Sequence, residues 1–134
     1  MSLALLDTDS VSLLPRRQPL VVEQARQYMV ANGVLQFSII IYYESLSGLL
    51  YRDARQQMRQ FQQLAALHQV VPLTIESVAI SAQIEATLRS RGQSIGPTDT
   101  LITGIALANN LQLATNNTRH FERIEGLRLV NWAQ

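Results

Sequence analysis

Asp7, Glu44 and Asp99 are carboxylates in apolar company, and their placement suggests chemistry. Asp7 ends the run Leu3-Ala4-Leu5-Leu6 and opens Asp7-Thr8-Asp9, the pattern of a central strand delivering acids to a sheet's carboxyl edge. Glu44 stands between Ile39-Ile40-Ile41-Tyr42-Tyr43 and Leu46, Leu49 and Leu50, where an ionised carboxylate is costly unless a positive group compensates it. Asp99 lies two residues after Pro97, at the head of the small, aliphatic stretch Leu101 to Ala108. Three carboxylates converging on one edge suit Mg²⁺ or Mn²⁺, which take oxygen ligands, keep several waters and accept phosphate oxygens from a substrate. The matching reaction is attack of metal-activated water on a phosphodiester.

Each acid also has an ordinary reading. Asp7 could bond a nearby amide as a strand-end turn residue, Glu44 could sit on a solvated helix face, and Asp99 could do no more than favour the positive end of its helix. Thr8 is placed to support Asp7, while Asp9 either joins the ligands or caps a short helix starting near Ser10. Asn116 and Asn117 follow another strand end as turn formers, with amide oxygens able to serve a hard cation. Arg119 is a substrate-contact candidate. His120 could act as a general base, but a lone histidine in a short turn reads more simply as a surface or packed residue, and His68 beside Val70 and Val71 as structural. With no cysteine, thiolate nucleophiles, disulfides and sulfur-ligated zinc are excluded.

A length of 134 residues implies one domain. Apolar residues make up 47%, charged residues 16%, and net charge is +1, so any grip on nucleic acid must be local. Arg16, Arg17, Arg52, Arg89, Arg91, Arg119 and Arg123 are the candidates, and spacing does not choose among them. No apolar run approaches the roughly 20 residues that cross a bilayer, and a cytoplasmic location is expected. Lightly charged, aliphatic helix faces favour self-association or a protein partner.

The elements that must position these residues are read as follows. Leu3 to Leu6 is a strand, 8–14 a turn and short helical stretch, and 20–31 a helix ended by Asn32-Gly33. Leu35 to Ile39 is a strand that turns near Ser38 to Ile41 into a helix reaching Tyr51, and helix continues from Asp53 with Met58, Phe61, Leu64, Ala65 and His68 on one edge. Val70 to Leu73 is a strand end. Thr74 caps a helix whose expected inward positions are Ile75, Val78, Ala79, Ala82 and Ala86 or Leu88. Pro97 starts a helix to Asn109-Asn110. Leu111 to Thr115 is a strand, Asn117 to Phe121 a short helix or turn, and Leu127 to Val130 the last strand. Short aliphatic strands alternating with helices predict a parallel sheet covered on both faces.

The whole chain resembles a PIN-domain protein of the VapC type, the toxin of a toxin–antitoxin pair. The resemblance rests on Leu5-Leu6-Asp7-Thr8-Asp9, on Phe37 to Glu44, on Ile95-Gly96-Pro97-Thr98-Asp99-Thr100-Leu101-Ile102, and on Ala114 to Phe121 followed by Gly126-Leu127. Asp9 departs mildly from the asparagine or serine usual there, and Asn117 stands where many relatives carry a fourth acid. The resemblance implies a three-layer α/β/α sandwich with a mostly parallel five-stranded sheet and an Mg²⁺- or Mn²⁺-dependent endoribonuclease using Asp7, Glu44, Asp99 and the Asn117 position. It further implies a homodimer, a cognate antitoxin whose tail covers the active groove, and RNA as substrate, with transfer RNA among the candidates. Two alternatives are a catalytically weak interaction module that has lost its fourth acid, and a metal-dependent phosphatase or nuclease acting on DNA flaps.

Overall fold

The structure is a computed structural model that describes residues 2–7 and 18–134. The expected turn and helix over 8–14, and with them Thr8, Asp9, Arg16 and Arg17, lie outside the described residues.

Five short strands, β1 (Ala4–Leu6), β2 (Gln36–Ser38), β3 (Gln69–Val71), β4 (Gln112–Ala114) and β5 (Leu129–Val130), form one parallel sheet in the order β3-β2-β1-β4-β5. Six helices among the described residues accompany it: α1 (Pro19–Asn32), α2 (Ile39–Tyr51), α3 (Arg55–Leu67), α4 (Ile75–Ser90), α5 (Pro97–Ala108) and α6 (Thr118–Phe121). β1 is central and inaccessible to solvent, as Ala4, Leu5 and Leu6 are all wholly buried, which explains its unbroken apolar run. Its register sets Leu6 beside Phe37 on one side and Ala114 on the other. The next residues, Asp7, Ser38 and Thr115, therefore stand in a row along the carboxyl edge.

Local chemistry sets where each helix begins. Gln18 caps α1 by accepting from the Val21 amide at 2.8 Å, with Pro19 as first helical residue. Ser38 ends β2 and at once caps α2, its Oγ accepting from the Ile41 amide at 3.1 Å. Thr74 and Ser77 form a reciprocal capping box on α4. Beneath the sheet Trp132 packs on Tyr28 with centroids 5.6 Å apart, and Phe61 packs on Phe37 and Tyr42. The Tyr28 hydroxyl accepts from the Ala4 amide at 3.0 Å and donates to Gln36 Oε1 at 2.6 Å, tying α1 to β1. His68 is structural, its Nδ1 accepting from the Leu35 amide at 3.0 Å. No helix among the described residues is long and apolar enough to cross a membrane.

Three expectations are corrected. The helix does not run on from Asp53: the chain breaks between α2 and α3, with Asp53 at φ 51°, a left-handed backbone that helix cannot continue. β3 begins one residue earlier than expected, at Gln69, and ends at Val71 as the proline argued, because Pro72 cannot donate to the ladder. The inward face of α4 is for the most part not the expected one. Leu88 is buried as expected, but Ile75 is 92% exposed and Val78, Ala79, Ala82 and Ala86 are also on the outside, whereas Ser77 and Ser81 are buried. The cause is a close crossing with α5: a Cβ on Gly104 would collide with Ser81 Oγ and the Ser77 carbonyl oxygen. Only small side chains fit there, and serine is tolerated because Ser81 Oγ donates to the Ser77 carbonyl at 3.0 Å, so no polar atom is stranded.

Candidate active site at the carboxyl edge of the sheet

Strands β2 and β3 lie on one side of β1, and β4 and β5 on the other. The crevice between β1 and β4 is thus the switch point, where open parallel sheets bind their ligands beyond the strand ends. Asp7 is there, 8% exposed, its amide donating to the Ala114 carbonyl at 2.8 Å. Thr115, fully buried across the crevice, donates its hydroxyl to Asp7 Oδ2 at 2.9 Å. The hydroxyl of Thr115 also accepts from the Asn117 amide at 3.0 Å, so one threonine orients the carboxylate and shapes the turn that follows.

That turn leads to Asp99. The Asn117 carbonyl accepts from the His120 amide at 3.1 Å, and His120 Nδ1 lies 2.9 Å from Asp99 Oδ2. The imidazole is steadied edge-on against Phe121, with ring centroids 5.3 Å apart. Asp99 is presented by the first turn of α5, which Gly96 at φ 93° and Pro97 set at its angle. Asp99 lies in the first turn, at the positive end of the helix, but its side chain makes no cap hydrogen bond, and the Gly96 amide turns to Ser94 Oγ. Burial pushes the Asp99 carboxyl above the ordinary range, and the nearby His120 partly opposes this. Its side chain is 27% exposed, and among the described residues its Oδ1 has no hydrogen-bond partner.

Glu44 falls in the second turn of α2, half-buried, on a helix that packs against both β2 and α5. Asn116, Asn117 and Arg119 are exposed on the turn between β4 and α6 and within α6 itself. Asp7 and Asp99 are therefore joined through hydrogen bonds at Thr115 and Asn117 and the 2.9 Å approach of His120 to Asp99. Among the described residues no three Asp, Glu or His side chains are grouped closely enough to hold a metal ion by themselves. The donors at the edge are hard oxygens, which suits a cation that uses one or two carboxylates and fills its sphere with water and phosphate. Thr115 was not foreseen as a site residue. Its signal was indirect: it follows the strand that pairs with β1, so it must face the residue that follows β1. His120 was read as a bystander, although it lies one turn beyond Asn117.

Comparison with known proteins places this geometry. The chain is 29% identical to the tRNA(fMet)-specific endonuclease VapC of Shigella flexneri, over 96% of this chain and 97% of that protein. It is 31% identical to Ribonuclease VapC2 of Haemophilus influenzae, over 96% of each. Among solved structures, VapBC-1 from nontypeable Haemophilus influenzae matches with a TM-score of 0.87 and 27% identity, covering 98% of this chain and 99% of that one. The DNA-bound VapBC of Salmonella typhimurium matches with a TM-score of 0.86 and 25% identity, covering 98% and 99%. The PIN domain family model matches residues 4–127, spanning every element from β1 to α6 and both linked aspartates, and the chain belongs to the PIN-domain family, resembling its VapC members.

Proposed function

We propose that this protein is the toxin of a toxin–antitoxin pair, a divalent-metal-dependent endoribonuclease acting in the cytoplasm. The observation that carries the reading is the linked pair Asp7 and Asp99 at the switch point, in a fold whose relatives are named as VapC ribonucleases. Asp7 and Asp99 would hold Mg²⁺ or Mn²⁺ directly, with Glu44 and Asn116 or Asn117 able to hold its waters. When bound, the ion supplies an activated water and neutralises charge on the phosphoryl group. The chain's own residues do the rest. Thr115 fixes one oxygen of Asp7 and so sets the orientation of its carboxylate. His120 occupies Oδ2 of Asp99 and so aims Oδ1 outward. Burial of both carboxylates keeps their charge unscreened and strengthens the hold on a cation.

A protein partner is supported by α2, in which nine of 13 residues are isoleucine, leucine or tyrosine yet only Ile41 is fully buried. Tyr43, Leu50 and Tyr51 are left exposed, a larger apolar surface than a solitary domain needs. We assign it to protein contact, with an antitoxin in the groove and a second copy as a further neighbour. Light scattering that finds a monomer at micromolar concentration would remove the second copy.

The decisive experiment offers purified protein structured RNA, a DNA flap and a small phosphoester, each with and without Mg²⁺ or Mn²⁺. RNA alone should be cut, only with metal, and Asp7→Asn, Glu44→Gln and Asp99→Asn should each stop it. Undiminished cleavage by all three variants would end the proposal.

A further inference from the structure

Away from the acids, the carboxyl end of α4 and the turn after α6 enclose a groove of about 150 Å³. Arg91 and Arg123 wall it, Thr87 and Glu125 complete its polar rim, and the buried side chains of Leu88 and Ile124 form its floor. Several of the chain's other arginines are already engaged: Arg26 with Glu23, Arg55 with Asp53, Arg89 with Glu85, and Arg128 with the Asn110 carbonyl. Arg91 and Arg123 form no ion pair or hydrogen bond through their side chains with any described residue, and both are exposed.

Their position follows from the site itself. Arg91 begins the connection that leads into Asp99, and Arg123 lies three residues beyond His120. The 2.9 Å contact between His120 and Asp99 therefore clamps together the two segments whose arginines line the groove. A site built of acids repels a polyanion, and a net charge of +1 offers no general attraction to overcome this. Two uncommitted guanidinium groups on the segments that carry Asp99 and His120 would, because each can take two phosphate oxygens at once. The groove is too small for stacked bases but has room for a phosphodiester unit, with the Thr87 hydroxyl as an additional donor.

Resting on the nuclease reading above, we infer that Arg91 and Arg123 form a subsite for an RNA backbone phosphate flanking the bond to be cut. Glu125 is the opposing charge on its rim and limits how tightly the phosphate is held. The subsite holds backbone, not base, so its contribution is the same for every RNA sequence.

The test measures binding of a short single-stranded RNA by fluorescence anisotropy from 50 to 200 mM salt, in an Asp7→Asn background that prevents cutting and leaves the contact between His120 and Asp99 in place. Arg91→Gln and Arg123→Gln should each weaken binding about 5- to 10-fold across unrelated sequences and flatten the salt dependence by about 0.7 in log–log slope. Arg59→Gln is the control: it removes the same charge from exposed α3, which packs on β3 at the far edge of the sheet, and should leave the slope unchanged. Glu125→Gln should tighten binding. If Arg91→Gln and Arg123→Gln behave like Arg59→Gln while the protein without substitutions cuts RNA, the subsite is overturned alone. If that protein neither binds nor cuts RNA, the nuclease reading and the subsite fall together.

Discussion

Gly104→Ala tests the close crossing that sets the inward face of α4. In an isolated helix the change would stabilise by about 1 kcal/mol through propensity. Here the new Cβ meets the Ser77 carbonyl, which cannot rotate away, and Ser81 Oγ, which can move only by giving up its hydrogen bond. Overpacking at the upper end of the usual range, about 3 kcal/mol, and about 1 kcal/mol for the hydrogen bond outweigh the propensity gain, leaving a net loss of about 3 kcal/mol. An unfolding entropy of about 2.1 cal/mol/K per residue makes roughly 0.28 kcal/mol/K for 134 residues, so Tm should fall by about 10 °C in calorimetry. Gly48→Ala is the matched control. Its Cβ would meet only the mobile end of Arg52 at 3.7 Å, so the propensity gain survives and Tm should rise by about 3 °C. Adding Ser81→Ala to Gly104→Ala should recover only part of the loss, since the backbone collision remains. A Gly104→Ala protein that melts at or above the parent would refute the account of why serines are buried on α4. Because α5 also carries Asp99, the substitution should lower RNA cleavage even at temperatures where the protein stays folded.

Thr115→Val keeps the shape of a buried strand-end residue but deprives Asp7 of its donor and the Asn117 amide of its acceptor; stability should drop by about 1–3 kcal/mol in urea titration and cleavage by at least about tenfold. Asp99→Asn should raise Tm near pH 7 while cutting RNA no longer, because burial disfavours the ionised carboxyl and the amide removes that charge. His68 gives a pH dependence of definite sign. Burial lowers its pKa from 6.5, so below about pH 6.5 the unfolded chain binds a proton that the folded one refuses, and stability falls as pH drops through that window. His68→Asn keeps an acceptor for the Leu35 amide but cannot titrate, so its denaturation midpoint should vary less between pH 7 and 5.

The strands and the parallel sheet were legible because burial on both faces writes itself as continuous aliphatic runs, as in Ala4-Leu5-Leu6. Helix starts were legible where a side chain does the capping, as at Ser38 and Thr74. The face of α4 was not, since hydrophobic periodicity assumes that the buried side is the greasier one, and a close helix crossing reverses this by selecting for size. At the site, Asp7 and Asp99 could be found from their apolar surroundings and from the motifs. Their coupling could not, because it runs through Thr115 and His120, whose importance depends on strand register and on a turn bringing together residues distant in sequence. Glu44 was singled out by the same apolar contrast, but contrast alone says nothing of distance.

The hydrogen bond from Thr115 to Asp7 closes a loop of 108 residues. At ribosomal elongation rates of about 5–20 residues per second, the donor is synthesised roughly 5–20 s after the carboxylate it orients. Through that interval the nascent chain carries Asp7 without β4 or β5, on an open sheet edge with no crevice beside it. A message broken before the codons for β4 therefore yields a product that keeps Asp7, Glu44 and Asp99 but lacks Thr115, Asn117 and His120. On the proposed function, a complete nuclease site would exist only once translation of the message is nearly finished.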